Sequence, residues 1–220
     1  MITKLGKSLE VNPYSSERAD RLMNHMGIDK DSVRIFQVNS SSPVHNKAVP
    51  VNFYKGNKKR LMRDAKNEDY RIREALLEGK NVITLSKNDK YLPHELGHLT
   101  GSFVNDKKAV EDYQKSVLYS TLAGALPASS AFLWGGIQKK PFKHIGAPFS
   151  LASLALAAPA LKEEFKASKE GVKAVYETEG LGSAVKSGLS FLPGQSTYLL
   201  APALPYAAGR LGHRLLRNVM

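Results

Sequence analysis

Apolar and polar positions alternate over Val33-Arg34-Ile35-Phe36-Gln37-Val38, the period-two pattern of a half-buried strand. Asn81-Val82-Ile83-Thr84-Leu85-Ser86 predicts a second strand over 82–86, and residues 49–54 read as a third. Helical signals lie between them. Ser15-Ser16-Glu17 can cap a helix that runs to Met26 and ends at Gly27. Asp64 to Glu78 predicts another helix, closed by Gly79, while Ser40-Ser41-Ser42-Pro43 is loop.

Beyond Lys115 the pattern changes. Three uncharged stretches follow: 116–138 (23 residues), 144–161 (18 residues) and 187–209 (23 residues). A helix needs about 20 apolar residues to span a bilayer. These stretches are rich in Ala, Gly, Ser and Pro, small residues that suit close helix packing. The first two are expected to be transmembrane, with buried core helices as the alternative, and Pro193, Pro202 and Pro205 interrupt the third. The chain thus divides into a mixed, charged region 1–115 and an apolar helical region 116–220 that contains the charged segment 162–186. The expected fold class is α+β: a small β-sheet domain followed by two or three transmembrane or buried apolar helices.

Composition narrows the chemistry. With 220 residues and no Cys, thiolate metal sites, disulfides and Cys nucleophiles are excluded, so any metal must use His and carboxylate ligands. The net charge is +12, and 21 of the 32 Lys and Arg fall within 1–115, including Lys58-Lys59-Arg60 and Arg63. Such a surface could meet nucleic acid or an anionic membrane. No aromatic-and-basic motif accompanies it, so it reads as a solvated basic face and nucleic acid is not the expected partner. The first twenty residues hold no apolar core of the signal-peptide type, so the N-terminal region is expected to stay on the side where it is made.

The chemistry concentrates in His94-Glu95-Leu96-Gly97-His98, a complete His-Glu-x-x-His box just after Pro93, a residue tolerated in a helix's first turn. Residues i and i+4 share a helix face, so both imidazoles can reach one metal ion. Zinc suits neutral imidazoles, and Glu95 is placed to act as general base on water. With six His in the chain, composition alone gives about 0.01 such boxes. A catalytic zinc keeps three protein ligands and an open position. Gly101 begins the extended pattern H-E-x-x-H-x-x-G-x-x-H, but its last position is Val104, which cannot bind metal. Downstream carboxylates remain: Glu111 and Asp112, or Glu163 and Glu164. If 116–138 and 144–161 form a helical hairpin, the chain returns to the side of the box at Glu163-Glu164, and topology favours that pair.

Lys162-Glu163-Glu164-Phe165-Lys166-Ala167-Ser168-Lys169 resembles the Glu-Phe-x-Ala-Ser segment of the YugP-type membrane-bound neutral zinc metallopeptidases. The likeness continues in order. Ser16 to Gly27 resembles that family's early helix, Val33–Val38 its next strand, Val82–Ser86 the strand before the box, and Tyr206–Leu216 its C-terminal helix. The resemblance implies a zincin-like catalytic domain over 1–115, distantly similar to the HtpX-like gluzincins, with Glu164 as the third zinc ligand. The chain departs from the family in three places. The family usually begins with a transmembrane helix, and none is visible in this sequence. The family's Leu-Pro-Val before Glu-Phe reads Leu161-Lys162-Glu163, and its paired Arg after Ser reads Lys169-Glu170.

The expected function is a membrane-bound zinc metalloendopeptidase acting on protein or peptide substrates, with Zn2+ held by His94, His98 and Glu164 and with Glu95 as catalytic base. The alternative is a non-catalytic membrane protein with a structural zinc. Strand 82–86 is assigned to pair with extended substrate. Tyr176, Tyr206 and His213 are candidate oxyanion donors, and Ser168 is either a partner of the ligand set or a plain helix residue. His25, His45 and His144 have no ligand spacing. Counting basic residues beside the apolar stretches, eight against six, places the catalytic side in the cytoplasm of an integral membrane protein. No oligomeric state follows from the sequence.

Overall fold

The computed structural model describes residues 10–40, 46–51, 58–65, 68–87, 89–100, 106, 108–122, 143–192, 207, 210–211 and 214. The chain forms two compact units, Met1–Val110 with Glu164–Phe191, and Glu111–Glu163 with Leu192–Met220.

In the first unit a four-stranded mixed sheet has the order β1-β2-β4-β3. β2 (Val33–Val38) and β4 (Asn81–Leu85) pair in parallel, Val33 opposite Asn81. β1 (Val11–Pro13) and β3 (Lys47–Val49) flank them antiparallel. All five β4 residues are buried, as a central strand covered on both faces requires. The period-two alternation then sorts side chains between two cores. Phe36, Val38 and Val82 meet Leu61 of α2 (Lys58–Ala65) and Ile72, Ala75 and Leu76 of α3 (Tyr70–Leu77). Val33, Ile35, Ile83 and Leu85 meet Leu22 of α1 (Glu17–His25), Leu92 and Leu96 of α4 (Leu92–Gly97), and Ala174 and Val175 of α6 (Lys143–Glu179). Each fully buried Leu here stabilises the fold by roughly 1.5–3 kcal/mol.

Local signals explain the element ends. The Ser16 hydroxyl accepts from the Ala19 N–H at 3.1 Å and starts α1, and Gly27 ends it with φ of 66°. Arg18 then ties α1 to two other elements. Its guanidinium donates to both carboxylate oxygens of Glu179 (2.7 and 3.3 Å) and to Asp89 (3.3 Å), which also accepts from the Tyr14 hydroxyl (3.1 Å). The end of α6 and the turn before α4 are thereby held to one side chain.

α4 and α6 meet at contact distance. A Cβ on Gly97 would stand 2.1 Å from the Ala167 carbonyl oxygen, and one on Gly171 would stand 2.5 Å from that of Pro93. Only glycine permits this approach. α7 (181–192) follows Gly180, buries Ala184 and Phe191, and completes the unit. In the second unit, residues of α5 (108–122) pack antiparallel on the first half of α6 through hydroxyls and small side chains. Ser116 Oγ donates to the Leu156 carbonyl (2.5 Å), and Ser153 Oγ to that of Ser120 (2.7 Å).

Several expectations require correction. The chain is mostly helical with one small mixed sheet, not the expected α+β arrangement with transmembrane helices. Long Ala-rich runs that continue into charged sequence form helices easily. Among the described residues no helix is long and apolar enough to cross a membrane. The integral-membrane placement, with its cytoplasmic catalytic side, is therefore not supported. The Ala-, Ser- and Pro-rich stretch 144–161 is not a separate span but the first half of a 37-residue helix that runs into the charged 162–179. Residues 123–138 of the first stretch and 193–206, 208 and 209 of the third lie outside the described residues. The single helix expected over 64–78 is instead the end of α2 and all of α3, because the Asp69 side chain caps the N-terminus of α3 by accepting from the Arg71 N–H (2.9 Å). The expected strand over 49–54 meets β3 only at Val49: β3 starts two residues earlier, Pro50 and Val51 lie beyond its end, and 52–54 lie outside the described residues. Strand 82–86 is β4 and lies inside the sheet, with both edges paired; the edge strand beside α4 is β3.

Gly171→Ala is expected to destabilise the protein by about 1–3 kcal/mol, because two backbones must separate. Gly188→Ala, whose Cβ would meet only Val172 Cγ2 at 3.6 Å, is the control and should be nearly neutral. Urea unfolding checks this, and a Gly171→Ala variant as stable as wild type would refute the packing constraint.

Candidate metal centre

α4 is short, and its two faces serve different purposes. Leu92 and Leu96 are fully buried in the core, while His94 and His98, one turn apart, share another face. Pro93 occupies the first turn, where its missing N–H costs nothing. The two imidazoles stand edge to face with centroids 4.8 Å apart. α6 delivers the carboxylate: Glu164 Oε2 lies 3.3 Å from His94 Nε2 and 3.7 Å from His98 Nε2. The candidate ligand atoms of these three residues all lie within 4.8 Å of one another, and their side chains are only 12, 10 and 9% exposed.

These separations suit a shared metal better than a bare ion pair. A charge-assisted N–H···O hydrogen bond runs about 2.7–2.9 Å. Donor atoms at about 2.0–2.1 Å from a tetrahedral zinc stand about 3.4 Å apart. The donors are imidazole nitrogens and a carboxylate oxygen, the set zinc takes in three-ligand sites. His94, His98 and Glu164 can therefore hold a metal ion.

The surroundings of His94 add two contacts. Its Nδ1 lies 2.9 Å from Ser168 Oγ, one turn beyond Glu164 on α6, and its ring lies against that of Phe191, with centroids 5.3 Å apart.

Glu95 is buried beside this group. Burial pushes its carboxyl up to about 7, with Glu164 adding to the rise, while His94 and the backbone N–H of Ala48 in β3 oppose it. Glu164 goes the other way. Burial raises it too, but hydrogen bonds and charge from His94 and His98 outweigh that and hold it well below the usual carboxylate range.

His94, Glu95, His98 and Glu164 are thus brought together, and Glu164, not Glu111, Asp112 or Glu163, is the carboxylate in the group. Tyr176 is exposed and lies twelve residues along α6 from Glu164, about 18 Å of helix, so it is not an oxyanion donor here. Tyr206 and His213 lie outside the described residues. His25 pairs with Glu177 at 2.5 Å, away from the group; His45 and the side chain of His144 lie outside the described residues. Two neighbours were not foreseen. Phe191 carries no local signal, and Ala48 could have been found only by placing β3 two residues earlier.

Comparison of the chain with protein-family models, with curated proteins and with solved structures finds no match.

The two carboxyls predict opposite pH effects in chelator-treated protein. Glu95 binds its proton more tightly folded than unfolded, so its contribution is complete below about pH 4.5 and is lost as pH rises through about 7. Glu95→Gln should match wild type near pH 5 and exceed it by about 2–3 kcal/mol at pH 8. Glu164→Gln should cost stability at neutral pH and less as pH falls through the acid range. Denaturant unfolding across pH decides it, and a Glu95→Gln difference independent of pH would count against the buried carboxyl.

Proposed function

We propose that the protein is a zinc-dependent metallopeptidase in which His94, His98 and Glu164 hold the metal and Glu95 is the general base. The convergence of Glu164 on the His-Glu-x-x-His helix, with one of its oxygens 3.3 and 3.7 Å from the two imidazole Nε2 atoms, carries this reading. The resemblance of Lys162–Lys169 to the Glu-Phe-x-Ala-Ser segment of the YugP-type zinc metallopeptidases supports it. When bound, zinc would act as a Lewis acid toward water and the scissile carbonyl. Glu95 takes the proton of the attacking water and passes it to the leaving amine, a role that suits a carboxyl poised near neutrality. The edge strand β3, whose Ala48 N–H reaches Glu95, is the element beside α4 on which an extended peptide could add as a further strand.

One observation favours a second reading. Glu95, His98 and Glu164 are 6, 8 and 7% exposed, and closed ligand sets characterise structural zinc. A non-catalytic protein that uses zinc for stability or partner binding is the alternative.

Elemental analysis of the purified protein and a casein-cleavage assay separate the two. Wild type is expected to carry one zinc per chain and to cleave casein. Glu95→Gln should keep the zinc and lose cleavage by about 10²–10⁴-fold, and His98→Ala should lose both. Zinc with no Glu95-dependent cleavage selects the structural site; no zinc in wild type ends both readings.

A further inference from the structure

α6 supplies more than Glu164 to this site, and the inference drawn from that rests on the metal reading above. Residues four apart on a helix share a face, so Ser168 stands one turn beyond Glu164 and faces α4 with it. Ser168 is 7% exposed, and its Oγ lies 2.9 Å from Nδ1 of His94, while Nε2 of the same ring lies 3.3 Å from Glu164 Oε2. One helix thus addresses both nitrogens of one imidazole.

We propose that Ser168 is the positioning residue of the metal site: it accepts a hydrogen bond from His94 Nδ1–H and so reserves the Nε2 lone pair for the metal. A neutral imidazole carries one N–H, and which nitrogen bears it is set by the hydrogen bond that the other partner offers. With the proton on Nδ1, Nε2 faces Glu164 as a free donor. With the proton on Nε2, the ring could not bind a metal beside that carboxylate. Ser168 also fixes the ring plane, together with Phe191 against its face. His98 and Glu164 do not depend on this bond directly, so its loss weakens the site without removing a ligand. Partners of this kind raise metal affinity by about 10–100-fold.

Zinc dissociation constants, measured by competition with a chromophoric chelator, test this on wild type, Ser168→Ala and Ser168→Thr. Thr178→Ala is the control, because its hydroxyl bonds only the Ala174 carbonyl (2.7 Å) on the same helix. Ser168→Ala should bind zinc about 10–100-fold more weakly, Ser168→Thr should recover most of that, and Thr178→Ala should match wild type. Two-bond 1H–15N spectra of the zinc-loaded protein should show the His94 proton on Nδ1, exchanging faster with solvent in Ser168→Ala. Equal zinc affinity in wild type and Ser168→Ala, or a His94 proton on Nε2 in zinc-loaded wild type, overturns the role of Ser168. Failure of wild type itself to bind zinc removes the metal reading and this inference with it.

Discussion

The close approach of α4 to α6 governs the rest of the site. At Gly97 and Gly171 the backbones of the two helices meet where no Cβ could stand. That contact brings a carboxylate and a hydroxyl from late in the chain against two imidazoles from its middle. Metal sites tolerate only about 0.2 Å of error in ligand distance, so a helix pair separated by ordinary side chains would not serve. The Arg18 pairs with Glu179 and Asp89 hold the far end of α6 and the entry to α4 to the same helix, α1.

Two buried carboxyls beside the same His pair are driven in opposite directions. Both lose solvation. Glu164 has two imidazoles within 4 Å of one oxygen and stays ionised, as a ligand should. Glu95 has one backbone N–H and the charge of one imidazole, with no hydrogen bond from either ring among the causes of its shift, so burial prevails and its affinity for a proton rises toward neutrality. Difference in environment, with no difference in residue type, lowers the proton affinity of one carboxyl and raises that of the other.

Expectations about membranes failed on composition. The stretches beyond Lys115 lack charge, yet lack of charge is not hydrophobicity: Ala, Ser, Gly and Pro dilute them, and 144–161 is part of a longer helix that carries Lys and Glu in its second half. Hydroxyls of Ser116 and Ser153 bond to backbone carbonyls across the α5 and α6 pair, so the small residues serve close packing there.

Local chemistry was legible where one segment contains its own cause. The alternation over 33–38, the Ser16 cap, the Gly27 stop and the i, i+4 His pair all depend on neighbours within a turn or two, and each stands where the sequence places it. The split at Asp69 and the early start of β3 were missed, because capping and strand pairing compete with pattern over very few residues. Sequence by itself determined that His94 and His98 share a face with Glu95 between them. Glu111, Asp112, Glu163 and Glu164 are chemically equivalent on paper: an expected helical hairpin favoured Glu163 and Glu164, and only resemblance named Glu164 as the third partner. Tertiary structure decided among them, made β3 the edge strand in place of β4, and set Ser168 and Phe191 on His94. Those outcomes turn on contacts between residues some 33 to 97 positions apart, and a residue's type does not say which distant backbone it can approach.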